Sequence, residues 1–255
     1  MQLQKLEDTL GVQLFERTNK QVLVTEVGQD IVARARQVLR EADDIKKVAK
    51  TYQDPQAGTL RLGVFPTLAP YWLPAIVPKL KVALPKLKLL LIEEKTQELT
   101  DQLKAGSLDT ALLALPVDDP QLVSHALFKD PFLLAVPPNH AFAHYQQIDQ
   151  SSILNQELLL LEEGHCLRDQ ALEICHSAGI GEQQDFRATS LETLRQMVAA
   201  GAGITLIPQS AKKANDGITY IPFAEPVPYR TIGILWRVHS ARQKTIAAVL
   251  KVLAP

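Results

Sequence analysis

The sequence predicts an α/β fold with a mostly parallel sheet, preceded by a long helix of coiled-coil character. Three observations carry this. From Leu60 onward, short leucine-rich and β-branched runs alternate with helical patterns; the segment between Gln29 and Gln53 holds neither Gly nor Pro and carries a heptad stripe; and Gln53-Asp54-Pro55-Gln56-Ala57-Gly58 reads as a linker between the two.

Length and charge bound the answer. A chain of 255 residues is long enough for one large domain or two modest ones. The net charge of −1 excludes a strong global field, so any contact with nucleic acid has to come from a local patch. The N-terminal MQLQKLEDTL lacks the apolar core of a signal peptide, and no stretch approaches the roughly 20 apolar residues that span a bilayer. A cytoplasmic protein without membrane contact is expected.

Residues 1–28 hold a short apolar-periodic helix (Leu3, Leu6, Leu10), a turn, and a β-like pair around Phe15 to Lys20 and Val22-Leu23-Val24. The helix from Val27 to Tyr52 follows. Its small and apolar residues Ile31, Ala35, Val38, Ala42, Ile45 and Ala49 are spaced alternately four and three, with Arg34, Arg36, Arg40, Lys46, Lys47 and Lys50 off the stripe. One narrow apolar seam with charged flanks predicts self-association. The alternative, that the stripe packs on the chain's own domain, is weakened by the linker that follows it.

Beyond the linker the strand-like runs are LRLGVF, LKLLLIEEK, TALLAL, PFLLAVP, ELLLLEE, GITLIP, ITYIPF and RTIGILW. Helical patterns include Pro70–Leu84, Thr96–Ala105, Cys166–Ala178 and Ser190–Ala200. The Pro-rich VPPNHAFAH at 136–144 marks the end of a first half. Ligands of such folds bind beyond the carboxyl ends of strands. Two strand-to-helix junctions place hydroxyls there, Thr67 in VFPTLAP and Thr96 in EEKTQEL, each of which also reads as a plain helix cap. A third junction runs from LLLLEEG into Cys166.

The chain has two cysteines, Cys166 and Cys175, both in EEGHCLRDQALEICHSAG and each beside a histidine. In a reducing compartment a structural disulfide is disfavoured, which leaves burial, metal binding or redox chemistry. Nine residues along a helix separate the two by about 13.5 Å and half a turn. A disulfide needs Cα atoms within roughly 7 Å. The pair therefore cannot bond while the helix exists, and oxidation would be a conformational event.

On the helix, Leu167, Ala171, Leu172, Cys175 and Ala178 share the apolar side, while Cys166 lies with Asp169, Gln170 and Glu173. Cys166 sits at the predicted N-terminus, after Gly164 and beside His165, with Arg168 near; both helix end and cations favour a reactive thiolate. That assigns Cys166 as the sulfur that attacks peroxide and Cys175 as the one that resolves the sulfenic acid. A zinc site of His165, Cys166, Cys175 and His176 is the rival, but the helical gap puts the two pairs on opposite faces. No metal or other cofactor is expected. A dithiol oxidoreductase would lean on a C-x-x-C motif that is absent.

KLEDTLGVQLFERT, VTEVGQ and the long helix after them resemble the LysR-type transcriptional regulators. GHCLRDQALEIC, followed by FRATSLETLRQMVAAGAGITLIP, resembles the peroxide-sensing members of that family, and the likeness covers nearly the whole chain. The resemblance implies two Rossmann-like subdomains of periplasmic-binding-protein type forming a regulatory domain, behind a partial winged helix-turn-helix and a dimerisation helix. The corresponding boundaries are 1–28 for the DNA-binding remnant, 29–52 for the dimer helix and 53–58 for the hinge. Subdomain I comprises 59–133 and 232–255, and subdomain II 134–231, the strand near RTIGILW returning to the first.

The resemblance further implies a homotetrameric activator that acts on promoter DNA and RNA polymerase, is oxidised by hydrogen peroxide, and is reset by a glutaredoxin or thioredoxin. It maps the peroxide pocket onto Thr67, Thr96, Gly164, His165, Cys166 and Arg168, with Asp169 and Arg230 in support. Arg17, Thr18 and Lys20 of the wing would touch phosphates rather than bases. Two departures stand out. His176 occupies a place where an apolar or aromatic residue is expected, and Met1 falls inside the expected recognition helix, so this chain is expected not to bind a specific operator. A thiol peroxidase and a small-molecule-responsive LysR regulator remain as alternative functions.

Overall fold

In the computed structural model the described residues are 2–17, 21–54, 56–153, 156–178 and 181–253. Thr18 and Lys20 of the expected wing and Pro55 of the linker lie outside them, as do the side chains of Arg17, Cys175 and His176. The chain divides into two compact units, residues 1–53 and 54–255.

In the first unit, α1 (Gln2–Leu10) is followed by a turn whose backbone N–H groups at Leu14 and Phe15 donate to the Glu7 carboxylate at 2.8 and 3.1 Å. The short strands β1 (Phe15–Arg17) and β2 (Val22–Val24) pair antiparallel. Thr25 Oγ1 then accepts from Gly28 N at 3.0 Å, capping α2 (Glu26–Gln53). A Cβ at Gly28 would lie 2.3 Å from the Leu14 carbonyl oxygen, so only glycine lets the first turn of α2 pack on the strand pair. Along the heptad seam Val38 and Ile45 are 68% and 71% exposed, leaving apolar surface that this unit does not itself cover.

The second unit begins with a β-α-β-α-β run: β3 (Gly58–Val64), α3 (Ala69–Ala83), β4 (Leu87–Glu93), α4 (Thr96–Lys104) and β5 (Thr110–Leu115). It continues through β6 (Leu122–Val136), β7 (Glu157–Leu161), α5 (Cys166–Ala178), β8 (Gly181–Ala188), α6 (Leu191–Ala199), β9 (Thr205–Pro208), β10 (Thr219–Pro222), β11 (Tyr229–Arg237) and α7 (Gln243–Leu253). The main sheet has the order β10-β6-β11-β5-β3-β4, with β9 also on β6, while β7 and β8 form a parallel pair.

The expected mostly parallel sheet is corrected to a mixed one. Only β3 runs parallel to its neighbours β4 and β5; β5–β11, β11–β6, β6–β9 and β6–β10 are antiparallel. The reason lies in the connections. A parallel crossover needs a dozen or more residues, usually including a helix. Between β5 and β6 there are only residues 116–121, so the chain turns back. Apolar runs mark where strands are but carry no direction.

Two apolar clusters form. One gathers Leu60, Leu62 and Val64 of β3, Leu99 and Leu103 of α4, Ile232 and Ile234 of β11, and Ile246 and Val249 of α7. The other gathers Leu158 to Leu161 of β7, Leu167 and Ala171 of α5, Leu194 and Val198 of α6, and Leu206 and Ile207 of β9. The first residue of α5 breaks this division: Cys166 packs against the first cluster while Leu167 packs in the second. Helix α5 therefore starts astride both lobes.

Candidate redox site

The turn from β7 into α5 presents the cysteine. Gly164 has φ +88°, a left-handed conformation that L side chains rarely adopt, and it brings the chain round so that α5 begins at Cys166. Arg168 N donates to the His165 carbonyl at 2.8 Å, and Arg168 Nη1 donates to the Leu161 carbonyl at 3.3 Å, tying the first turn of the helix back to the strand. His165 is buried, and burial together with Lys95 holds its imidazole below the usual histidine range, hence neutral at pH 7. Asp169 lies on the exposed face of the first turn, near enough to act on the Cys166 thiol.

Beside the thiol lies a buried charge network. Arg230, 1% exposed on β11, donates through Nη1 to Thr67 Oγ1 at 2.9 Å and through Nη2 to the Thr67 carbonyl at 3.1 Å. Its Nε donates to Asp130 Oδ2 at 3.0 Å, and its guanidinium lies 5.2 Å from the centre of the Phe65 ring. Asp130 in turn accepts from Ser210 N at 2.9 Å and Ser210 Oγ at 2.7 Å. Thr67 and Arg230 are hydrogen-bonded to each other, and Arg230 and Thr96 lie near enough to Cys166 to act on its thiol. Asp130 and Ser210 were not foreseen; the one signal was a carboxylate set directly before the apolar run PFLLAV.

Of the two readings of Thr96, the helix cap is set aside. The cap position of α4 is Lys95, whose side chain makes no capping bond. Thr96 Oγ1 is buried with no partner in full hydrogen-bond geometry, yet it is near enough to the Cys166 sulfur to favour the thiolate. Thr96→Val is expected to slow the reaction of Cys166 with peroxide by about tenfold, the worth of a hydrogen bond to a charged group, with stability kept within about 1 kcal/mol because no satisfied bond is lost. Stopped-flow rates beside urea unfolding check this; a large stability loss with unchanged rate would return the hydroxyl to a structural role.

The thiolate expectation is also revised. Burial pushes the Cys166 thiol up, Arg230 and Thr96 pull it back, Asp169 adds to the rise, and the net position lies above that of an ordinary cysteine. The partly buried thiol is thus pushed toward its protonated form, and its thiolate fraction grows as pH rises. Alkylation of Cys166 in a Cys175→Ser background should therefore show a half-point above that of free cysteine. A half-point at or below the free value would mean that the helix end and Arg230 win.

Among the described residues no three His, Cys, Asp or Glu side chains converge to hold a metal ion, and no helix is long and apolar enough to cross a membrane.

In sequence, a short helix, a strand pair and a long helix precede a mixed α/β unit whose helix α5 begins at Cys166. The LysR substrate binding domain model matches residues 53–255 and the bacterial regulatory helix-turn-helix protein, lysR family, model matches residues 1–29; the chain belongs to the LysR family. Within it, the chain is 45% identical over 239 residues to the DNA-binding transcriptional dual regulator OxyR of Escherichia coli, covering 92% of this chain and 78% of that one. A full-length OxyR variant from Pseudomonas aeruginosa superposes with a TM-score of 0.78 at 36% identity, covering 98% of this chain and 83% of that one. The oxidized form of OxyR superposes with a TM-score of 0.72 at 41% identity, covering 78% and 96% respectively.

Proposed function

We propose that Cys166 is the peroxide-reactive thiol and Cys175 the resolving thiol of this chain, a redox-sensing LysR-type regulator of oxidative-stress genes. The observation that carries the assignment is the seat of Cys166: first residue of α5, packed on the opposite lobe beside Thr96 and Arg230, on the same helix as the second cysteine. In the first step the Cys166 thiolate attacks one peroxide oxygen, the O–O bond breaks, and the departing hydroxide takes up a proton as water. In the second, the Cys175 thiol displaces the hydroxyl of the sulfenic acid, an S–S bond forms, and a second water leaves. Because the helix holds the two positions about 13.5 Å apart, closure requires α5 to unwind. Gly164, His165, Arg168, Thr67, Asp169 and Arg230 shape and support the pocket.

The remaining parts follow the same reading. Residues 59–133 with 232–255 act as one regulatory subdomain and 134–231 as the other. The exposed seam of Ile31, Ala35, Val38, Ala42 and Ile45 pairs with a second copy, and the dimers associate further into a tetramer. Any contact with DNA is made by residues 1–28, with Arg17, Thr18 and Lys20 on phosphates rather than bases. RNA polymerase receives the signal, and a cytoplasmic glutaredoxin or thioredoxin type of dithiol resets the disulfide. The thiol turns over once per signal and is not an enzyme's.

Intact mass, peptide mapping and far-UV circular dichroism after one equivalent of hydrogen peroxide test the assignment. The expected result is loss of two hydrogen atoms, a Cys166–Cys175 cross-link and lowered helicity. A stable sulfenic acid on Cys166 with an unchanged spectrum would overturn the disulfide mechanism.

A further inference from the structure

Lys95 is the residue before α4, on the lobe opposite the turn that carries Cys166. Its ammonium donates to Glu162 Oε1 at 2.6 Å and to the Glu163 carbonyl at 3.1 Å. Its stem lies against Gly164, where an added Cβ would stand 3.1 Å from Lys95 Cδ. Two consecutive residues of the turn are thereby held by one side chain, with the third beside its stem. The next residue along, Thr96, faces the thiol itself. One short stretch of backbone thus both seats the sulfur and fastens the loop that delivers it.

We infer that Lys95 is a positioning residue of the switch, clamping the Glu162–Gly164 turn to the start of α4 and so setting how readily Cys166 leaves its seat for Cys175. The inference rests on the two-cysteine reading above. The charges that act most on the thiol are Arg230 and Asp169. The clamp therefore governs the step in which the turn must move rather than the step in which the thiolate attacks. It belongs to the reduced form, so its removal favours the disulfide. The paired side chains are 31% and 37% exposed, which screens the ion pair and keeps the effect moderate.

The test compares full-chain wild type, Lys95→Met and Lys95→Arg after a single equivalent of hydrogen peroxide. Sulfenic acid formation is read by trapping in a Cys175→Ser background, and closure by quenched peptide mapping. Redox titration in a dithiol buffer gives the potential. In Lys95→Met the closure rate is expected to rise about threefold with the sulfenic acid rate unchanged, the scale of a partly exposed pair. The midpoint potential should become more negative by about 14 mV, which is that factor for a two-electron couple. Lys95→Arg, which keeps the charge, should stay near wild type. Unchanged closure rate and potential in Lys95→Met would overturn the clamp, and so would a loss confined to sulfenic acid formation. Wild type that forms no Cys166–Cys175 bond would instead remove the underlying reading.

Discussion

Replacing Arg230 with methionine is expected to lower stability by about 3–5 kcal/mol and, separately, to slow peroxide oxidation of Cys166. Two effects are joined in this residue. Its guanidinium meets the Asp130 carboxylate at 2.9 Å, and the two side chains are 0% and 3% exposed. Removing the cation strands a buried carboxylate on the two Ser210 donors alone. The second effect is electrostatic, because Arg230 is the strongest influence drawing the thiol toward its charged form. Without it the thiol titrates higher still, and each unit of rise leaves tenfold less thiolate at neutral pH.

A double variant separates the two effects. Arg230→Met with Asp130→Leu should recover much of the stability, since well-packed apolar residues often replace a buried pair without loss. The slow reaction with peroxide should persist. Urea unfolding and stopped-flow oxidation read the two quantities. A single variant that loses less than about 1 kcal/mol would mean that the carboxylate is not stranded. A stability loss with an unchanged rate would confine Arg230 to architecture.

Cys175→Ser is expected to abolish disulfide formation completely and to let sulfenic acid accumulate on Cys166. With two cysteines in the chain, no other thiol of the same molecule can condense with it. Excess peroxide should then carry Cys166 on to the sulfinic acid. The fall in helicity on oxidation should vanish with the bond, because unwinding is imposed by closure rather than by the oxygen atom. Trapping of the sulfenic acid, followed by mass mapping and circular dichroism, decides it. If the spectrum changes as in wild type without any cross-link, the sulfenic acid alone moves the helix and Cys175 is not the resolving thiol.

Several elements around the candidate site are legible in the sequence. The heptad stripe of α2, the start of α5 at Cys166 and the junction hydroxyls of Thr67 and Thr96 follow from local spacing and from where Gly and Pro interrupt it. Strand β6 was read only in its PFLLAVP half; the stretch LVSHALFKD holds too many polar residues to announce a strand, yet pairing with β11 carries it through. Strand β8 was missed for the same reason, GEQQDFRA being strand by virtue of its neighbour β7.

By itself, then, the sequence determined the periodic elements, the break between the long helix and the α/β unit, and the placing of both thiols on one helix too long to bridge. These are properties of residues within a few turns of one another. The tertiary structure alone decided strand direction, the pairing of Arg230 with Asp130 across 100 residues, the grip of Lys95 on a turn 67 residues away, and the surroundings that push the Cys166 thiol up. Those depend on which distant groups share a low-dielectric pocket, and interaction energy there is set by separation in space, for which distance along the chain is no guide.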